Sequence, residues 1–120
     1  MKLIIIEDEP EIRYLLLETL ETFKIGCSYE AFESYEEYLK LSSFIDFDIA
    51  LLDVSLKGRN GISIAKEMLE SNSNLKIIFM TGHHTETILM NEDYELIKNK
   101  NITILNKPFD LYELKLAIKQ

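Results

Sequence analysis

Leu3-Ile4-Ile5-Ile6-Glu7-Asp8 is an apolar run that stops at two carboxylates, and Ile49-Ala50-Leu51-Leu52-Asp53 repeats the pattern with one. Ile77-Ile78-Phe79-Met80 stops in the same way at Thr81, and Ile102-Thr103-Ile104-Leu105 leads through Asn106 to Lys107-Pro108. These runs are near-continuously apolar rather than alternating, which is the pattern of parallel strands covered on both faces. In one parallel sheet their carboxyl ends would share an edge, and open α/β sheets place their ligand sites along that edge. Three carboxylates, a hydroxyl and an ammonium would then meet. Crowded carboxylates repel one another unless a cation joins them, so the set asks for a hard divalent metal.

Helical periodicity separates the runs. A helix opened by Asp8, with Pro10 in its first turn, repeats Ile12, Leu15, Leu16, Leu20 and Phe23 at three- and four-residue spacing, and Gly26 can cap its end. Cys27 to Ala31 reads as a weaker second strand, and Ser34 as the cap of a short helix carrying Tyr35, Tyr38 and Leu39. The third strand spans Phe47 to Leu52 and is followed by a loop from Asp53 to Asn60. Ile62, Ala65, Met68 and Leu69 mark a third helix that breaks at Ser71-Asn72-Ser73-Asn74. Leu75 to Met80 is the fourth strand. One helix is expected from Thr85 to Lys100 with Ile88, Leu89 and Ile97 facing inward, and the fifth strand spans Ile102 to Leu105. Asp110 caps a last helix that buries Leu111, Leu114 and Ile118. Strand and helix thus alternate five times, which predicts a doubly wound α/β fold with a five-stranded parallel sheet and five helices.

The 120 residues, 47% hydrophobic and 28% charged, suit one domain over residues 1–120 with a single core. No apolar run approaches the roughly 18 residues of a membrane span, and the four apolar residues near the start are too few for a signal peptide. Cys27 has no partner for an internal disulfide, so a cytoplasmic setting is expected. The net charge of −8 argues against direct nucleic-acid binding, which needs a basic patch.

Each polar signal has a plain alternative. Glu7-Asp8 could simply favour a helix N-terminus, and Glu9 reads as a first-turn acid facing water. Thr81-Gly82 could be turn chemistry, and Lys107-Pro108 a surface lysine before a turn proline. Asp53 resists such a reading, because a carboxylate closing a buried run loses hydration. The conjunction is harder to explain by chance, since every candidate falls at the same end of a strand. The group suits phosphoryl transfer. An aspartate can attack phosphorus, and a magnesium ion with Lys107 can neutralise phosphoryl oxygens while Thr81 donates a hydrogen bond.

Glu7-Asp8-Glu9-Pro10, Leu51-Leu52-Asp53 followed eight residues later by Gly61, Thr81-Gly82 and Lys107-Pro108-Phe109 together resemble the receiver domain of two-component response regulators, over Lys2 to Gln120. The resemblance implies a flavodoxin-like fold with strand order 2-1-3-4-5. It implies that Asp53 is the phosphoacceptor for a histidine kinase or phosphotransfer protein. Glu7, Asp8, Asp53 and the Ser55 carbonyl would serve Mg2+, with Glu7 acting mostly through water. Lys107 would pair with Asp53 before phosphorylation and with the phosphoryl group after it, and Thr81 would move toward that group. The Lys107–Pro108 bond would be cis. Phosphorylation would switch the surface of the fourth helix, fifth strand and last helix. Such a chain is no enzyme beyond catalysing its own phosphorylation and dephosphorylation. A C-terminal output domain or a separate downstream protein could receive the signal.

The chain departs from the family at named positions. Ile104 replaces the usual aromatic three residues before the lysine, so no rotating ring can report the switch. Lys57 stands where the family often has proline. The segment from Thr81 to Lys107 lacks the common Gly-Ala-Asp-Tyr stretch and has no recognisable dimerisation charges, which leaves the oligomeric state open. Ser55 and His83 occupy the positions that tune phosphoryl loss in the family. His83 also reads as an exposed loop histidine, and His84 as a solvated residue before a helix. These departures motivate an alternative, a degenerate receiver acting as a phosphorylation-independent interaction module. A phosphatase of the haloacid dehalogenase type would want an acid where Ser55 stands, and a flavodoxin would want a Thr/Ser/Gly loop where Glu7-Asp8-Glu9 stands.

Overall fold

The computed structural model describes residues 1–22, 28–42, 46–56, 59–82 and 88–119. The sequence features at Phe23, Gly26, Cys27, Lys57, His83, His84 and Thr85 lie outside these residues. Five parallel strands form one sheet: β1 (Lys2–Ile6), β2 (Ser28–Phe32), β3 (Ile49–Asp53), β6 (Lys76–Thr81) and β7 (Ile102–Asn106). Two short strands, β4 (Ser55–Leu56) and β5 (Arg59–Asn60), form an antiparallel pair of their own. The main sheet has the order β2-β1-β3-β6-β7. With the short pair set aside, this is the expected 2-1-3-4-5. Five helices are bounded within the described residues: α1 (Pro10–Thr22), α2 (Tyr35–Ser42), α3 (Gly61–Ser71), α4 (Glu92–Ile97) and α5 (Leu111–Lys119).

Alternate side chains of the central strands feed two cores. Leu3, Ile5, Leu51, Ile78 and Met80 meet Leu16 and Leu20 of α1 and Leu114, Ala117 and Ile118 of α5. Ile4, Ile6, Leu52, Ile77 and Phe79 meet α2, α3 and α4 on the other face. Each fully buried aliphatic side chain stabilises the fold by about 1.5–3 kcal/mol relative to exposure. That two-sided burial is why these strands read as unbroken apolar runs. The edge strand β2 is only partly buried, which is why its sequence signal was weak.

Several expectations need correction. β7 reaches both cores, with Ile102 and Ile104 against one and Leu105 in the other, but is only partly covered. It is the other edge, and Ile102, Thr103 and Ile104 are half-buried. The segment from Asp53 to Asn60 is not a plain loop, because it contains the β4–β5 pair. The single helix expected from Thr85 to Lys100 is broken. A turn at Met90 precedes Asn91, whose side-chain oxygen accepts from the N–H groups of Asp93 and Tyr94 and starts α4 afresh. Leu15, Leu39, Leu89 and Leu111 are exposed, so the inward faces are narrower than the periodicity predicted. α1 instead buries Thr19 alongside Leu16 and Leu20, and the Thr19 hydroxyl donates to the Leu15 carbonyl at 2.8 Å and so enters the core satisfied. α1 also begins at Pro10, which leaves Asp8 outside the helix, at the sheet edge.

Candidate functional site at the carboxyl edge of the sheet

Strand register brings the polar residues level. Ile6 pairs with Leu52, so Glu7 follows β1 beside Asp53, the last residue of β3. Asp53 pairs with Met80, and Thr81 with Asn106, which carries the chain into Lys107. The Lys107 N–H donates to the Thr81 carbonyl at 2.7 Å, and the Lys107–Pro108 peptide is cis.

Asp53 is 5% exposed, and each of its carboxylate oxygens has a donor. Oδ1 accepts from the Ser55 N–H at 2.9 Å, and Oδ2 from Lys107 Nζ at 3.0 Å. The same ammonium reaches Glu7 Oε1 at 3.4 Å. Glu7 is completely buried, and its Oε2 has no hydrogen-bond partner. Arg13, one turn into α1, donates Nη1 to the Glu7 carbonyl at 2.7 Å and tethers the backbone that presents the acids.

Gly61 sets the other wall. Its N–H donates to the Val54 carbonyl at 2.9 Å, and a Cβ built on it would collide with the Asp53 carbonyl oxygen. No side chain fits at that approach.

The charges are unevenly balanced. Burial first, and then the neighbouring Asp53 carboxylate, pushes the Glu7 carboxyl up to about 8, with Lys107 pulling the other way. Burial pulls the Lys107 ammonium down, but Asp53 and Glu7 outweigh it and raise its pKa. One oxygen each of Glu7, Asp8 and Asp53 lies within 4.8 Å of the others. Opposite ligands of an ion with bonds of about 2.1 Å would stand roughly 4.2 Å apart, so the spacing is close to that of a magnesium site. An orphaned buried carboxylate oxygen costs about 1–3 kcal/mol. It is a natural further acceptor for a cation or its water, so the donor set fits such an ion.

Among the other sequence candidates, Thr81 is buried at the end of β6, and Ser55 is exposed in β4 with its N–H on Asp53. Ile104 is half-buried against the core that contains α3 and α4. His83 lies outside the described residues. Arg13 was missed by sequence reasoning. Its signal was only its place one turn into α1, and its bond to a backbone carbonyl leaves no pattern in residue type.

The chain matches the family model described as the response regulator receiver domain over residues 3–119. Sporulation initiation phosphotransferase F of Bacillus subtilis is 32% identical over 121 residues, with 99% of this chain and 91% of that protein covered. Transcriptional regulatory protein ComA of the same organism is 32% identical over 89 residues, covering 71% of this chain but only 41% of ComA. The chain thus spans less than half of that relative's length. Response regulator protein TrrA from Thermotoga maritima, in complex with Mg2+-BeF, superposes with a TM-score of 0.79 at 27% identity, covering 98% of this chain and 96% of TrrA. Chemotaxis response regulator CheY4 of Vibrio cholerae, at 20% identity and a TM-score of 0.80 over 98% of this chain and 95% of its own, shares the fold.

Proposed function

Because this chain belongs to the response regulator receiver domain family, we propose that it is a phosphorylation-controlled signalling switch in which Asp53 accepts a phosphoryl group from a histidine kinase or phosphotransfer protein. A carboxylate oxygen of Asp53 attacks the phosphorus of a phosphohistidine. An O–P bond forms as the N–P bond breaks, and the electron pair of the broken bond returns to the imidazole nitrogen. The observation that carries this reading is the hold on Asp53: Ser55 N–H on one oxygen, Lys107 Nζ on the other, with two further acids beside it.

Glu7, Asp8, Asp53 and the Ser55 carbonyl would hold Mg2+, which when bound neutralises charge on phosphoryl oxygens. Lys107 orients Asp53 beforehand and then passes to a phosphoryl oxygen. Thr81 donates its hydroxyl to another. The phosphoryl group adds a charge of roughly −1.5 to −2, by analogy with phosphoserine, and this charge biases the surface formed by α4, β7 and α5. Ser55 and His83 would tune how long the group survives. The switch would work in the cytoplasm as one domain over residues 1–120, and would act on an output domain or a downstream protein.

Incubation with acetyl phosphate and Mg2+ should add one phosphate to the native chain, read by mass spectrometry, and none to Asp53→Asn. Incorporation that persists in the variant would overturn the assignment. Ile104 and the interrupted segment before α4 favour a second reading, a constitutive interaction module. Amide shifts in α4 that stay put when beryllofluoride and Mg2+ are added would support that reading over a working switch.

A further inference from the structure

The cleft between α2 and α3 has none of the residues of the Asp53 site among its described lining, and its walls have a distinct composition. Its volume is about 230 Å³. Tyr35, Tyr38, Phe47 and Met68 supply apolar surface, and Asp46 and Glu67 supply carboxylates. No basic residue is among its described lining residues. The rings brace one another, with Tyr35 and Tyr38 stacked at 5.8 Å and 18° and Phe47 edge-on to Tyr38 at 5.8 Å and 87°.

This wall already holds one cation of the chain's own. The Arg59 guanidinium, from β5, lies 4.8 Å from the Tyr35 ring centroid and pairs with Glu67 at 3.0 Å. The Tyr35 hydroxyl also bonds to Glu67. The hydrogen bonds from Arg59 and Tyr35 hold the Glu67 carboxyl below its usual range, so it is ionised at neutral pH. Arg59 balances one acid of the cleft. Asp46 is exposed and has no ion-pair partner among the described residues, so within those residues one carboxylate beside the aromatic lining is left without a counterion.

We propose that this cleft binds a small organic cation with an apolar stem, an alkylguanidinium or alkylammonium. The stem lies along Tyr38, Phe47 and Met68, and the charged head meets Asp46 at the mouth. An anion is repelled by Asp46, and a neutral apolar ligand strips water from Asp46 and returns nothing. A cation gains from the carboxylate and from the rings. The cleft stands apart from phosphoryl chemistry, since the bonds to Asp53 among the described residues come from Ser55 and Lys107, and neither lines it.

The test is an NMR titration of the full chain with n-butylguanidinium, against n-butylurea as the uncharged isostere. The guanidinium should produce saturable shifts at Tyr38, Phe47 and Asp46, with a Kd on the order of millimolar for one carboxylate contact and partial ring contact. Butylurea should produce none. Asp46→Asn, a change at an exposed position, should weaken binding at least fivefold and leave the folded spectrum intact. Absence of saturable shifts, an equal response to butylurea, or unchanged affinity in Asp46→Asn would each overturn the proposal.

Discussion

Glu7 is a fully buried acid that the fold favours in its protonated form, and this has a consequence for pH. Its carboxyl is raised from 4.5 to about 8, so the folded chain binds that proton more tightly than the unfolded chain does. The stability linked to the proton is complete below about pH 4.5 and is lost as pH rises toward 8. In metal-free buffer the Glu7→Gln variant should therefore gain on the native chain steadily across that window, as measured by urea denaturation. A difference that does not change with pH would contradict the assignment. Gly61 makes a steric prediction instead. Its missing Cβ would meet backbone atoms of Asp53 and Val54, which cannot rotate away. Gly61→Ala should cost about 1–3 kcal/mol of stability in thermal denaturation, the range for an overpacked site; a neutral outcome would mean the loop can yield. The sequence marked Gly61 by its spacing from Asp53, but only the fold shows the close approach that excludes a side chain.

At the scale of elements, capping decided what periodicity could not. Ile88 and Ile97 are both buried, so their spacing suggested one helix. The chain instead turns at Met90 and restarts on Asn91. With only six residues, α4 depends on that cap. Asn91→Ala should destabilise the protein by about 1 kcal/mol and speed amide exchange across Glu92–Ile97 before other helices respond. Exchange unchanged in α4 would show that packing alone holds it. The Ser34 and Asp110 caps were legible in advance, because each lies just ahead of a single apolar stripe. Their oxygens accept from the N–H groups of Glu37 and Glu113 at 3.1 and 2.7 Å. Asn91 lay inside an apparent stripe, and its capping role was hidden there. The β4–β5 pair was hidden for a different reason: strands of two residues have no measurable period.

For the whole molecule, the proposed ion site ties stability to magnesium. An ion that binds only the folded chain stabilises it by RT ln(1 + [Mg2+]/Kd), about 2.7 kcal/mol at a hundredfold excess over Kd. Saturating Mg2+ should raise the Tm of the native chain and raise that of Asp8→Asn much less. An equal rise in both would place the ion elsewhere. The parallel sheet and its two-faced core were readable from residue order, because continuous apolar runs and helical stripes are local patterns set by which faces are buried, whereas the order of the strands was implied only by the family resemblance. The polar residue closing each run was equally visible, and so was the acidic chemistry at the strand ends. Proximity was not local. Lys107 reaches Asp53 across 54 positions and Glu7 across 100. Strand register brought them level, and burial left Glu7 Oε2 without a partner. Register, burial and charge balance depend on segments distant in the chain meeting in space, so they came only with the folded sheet.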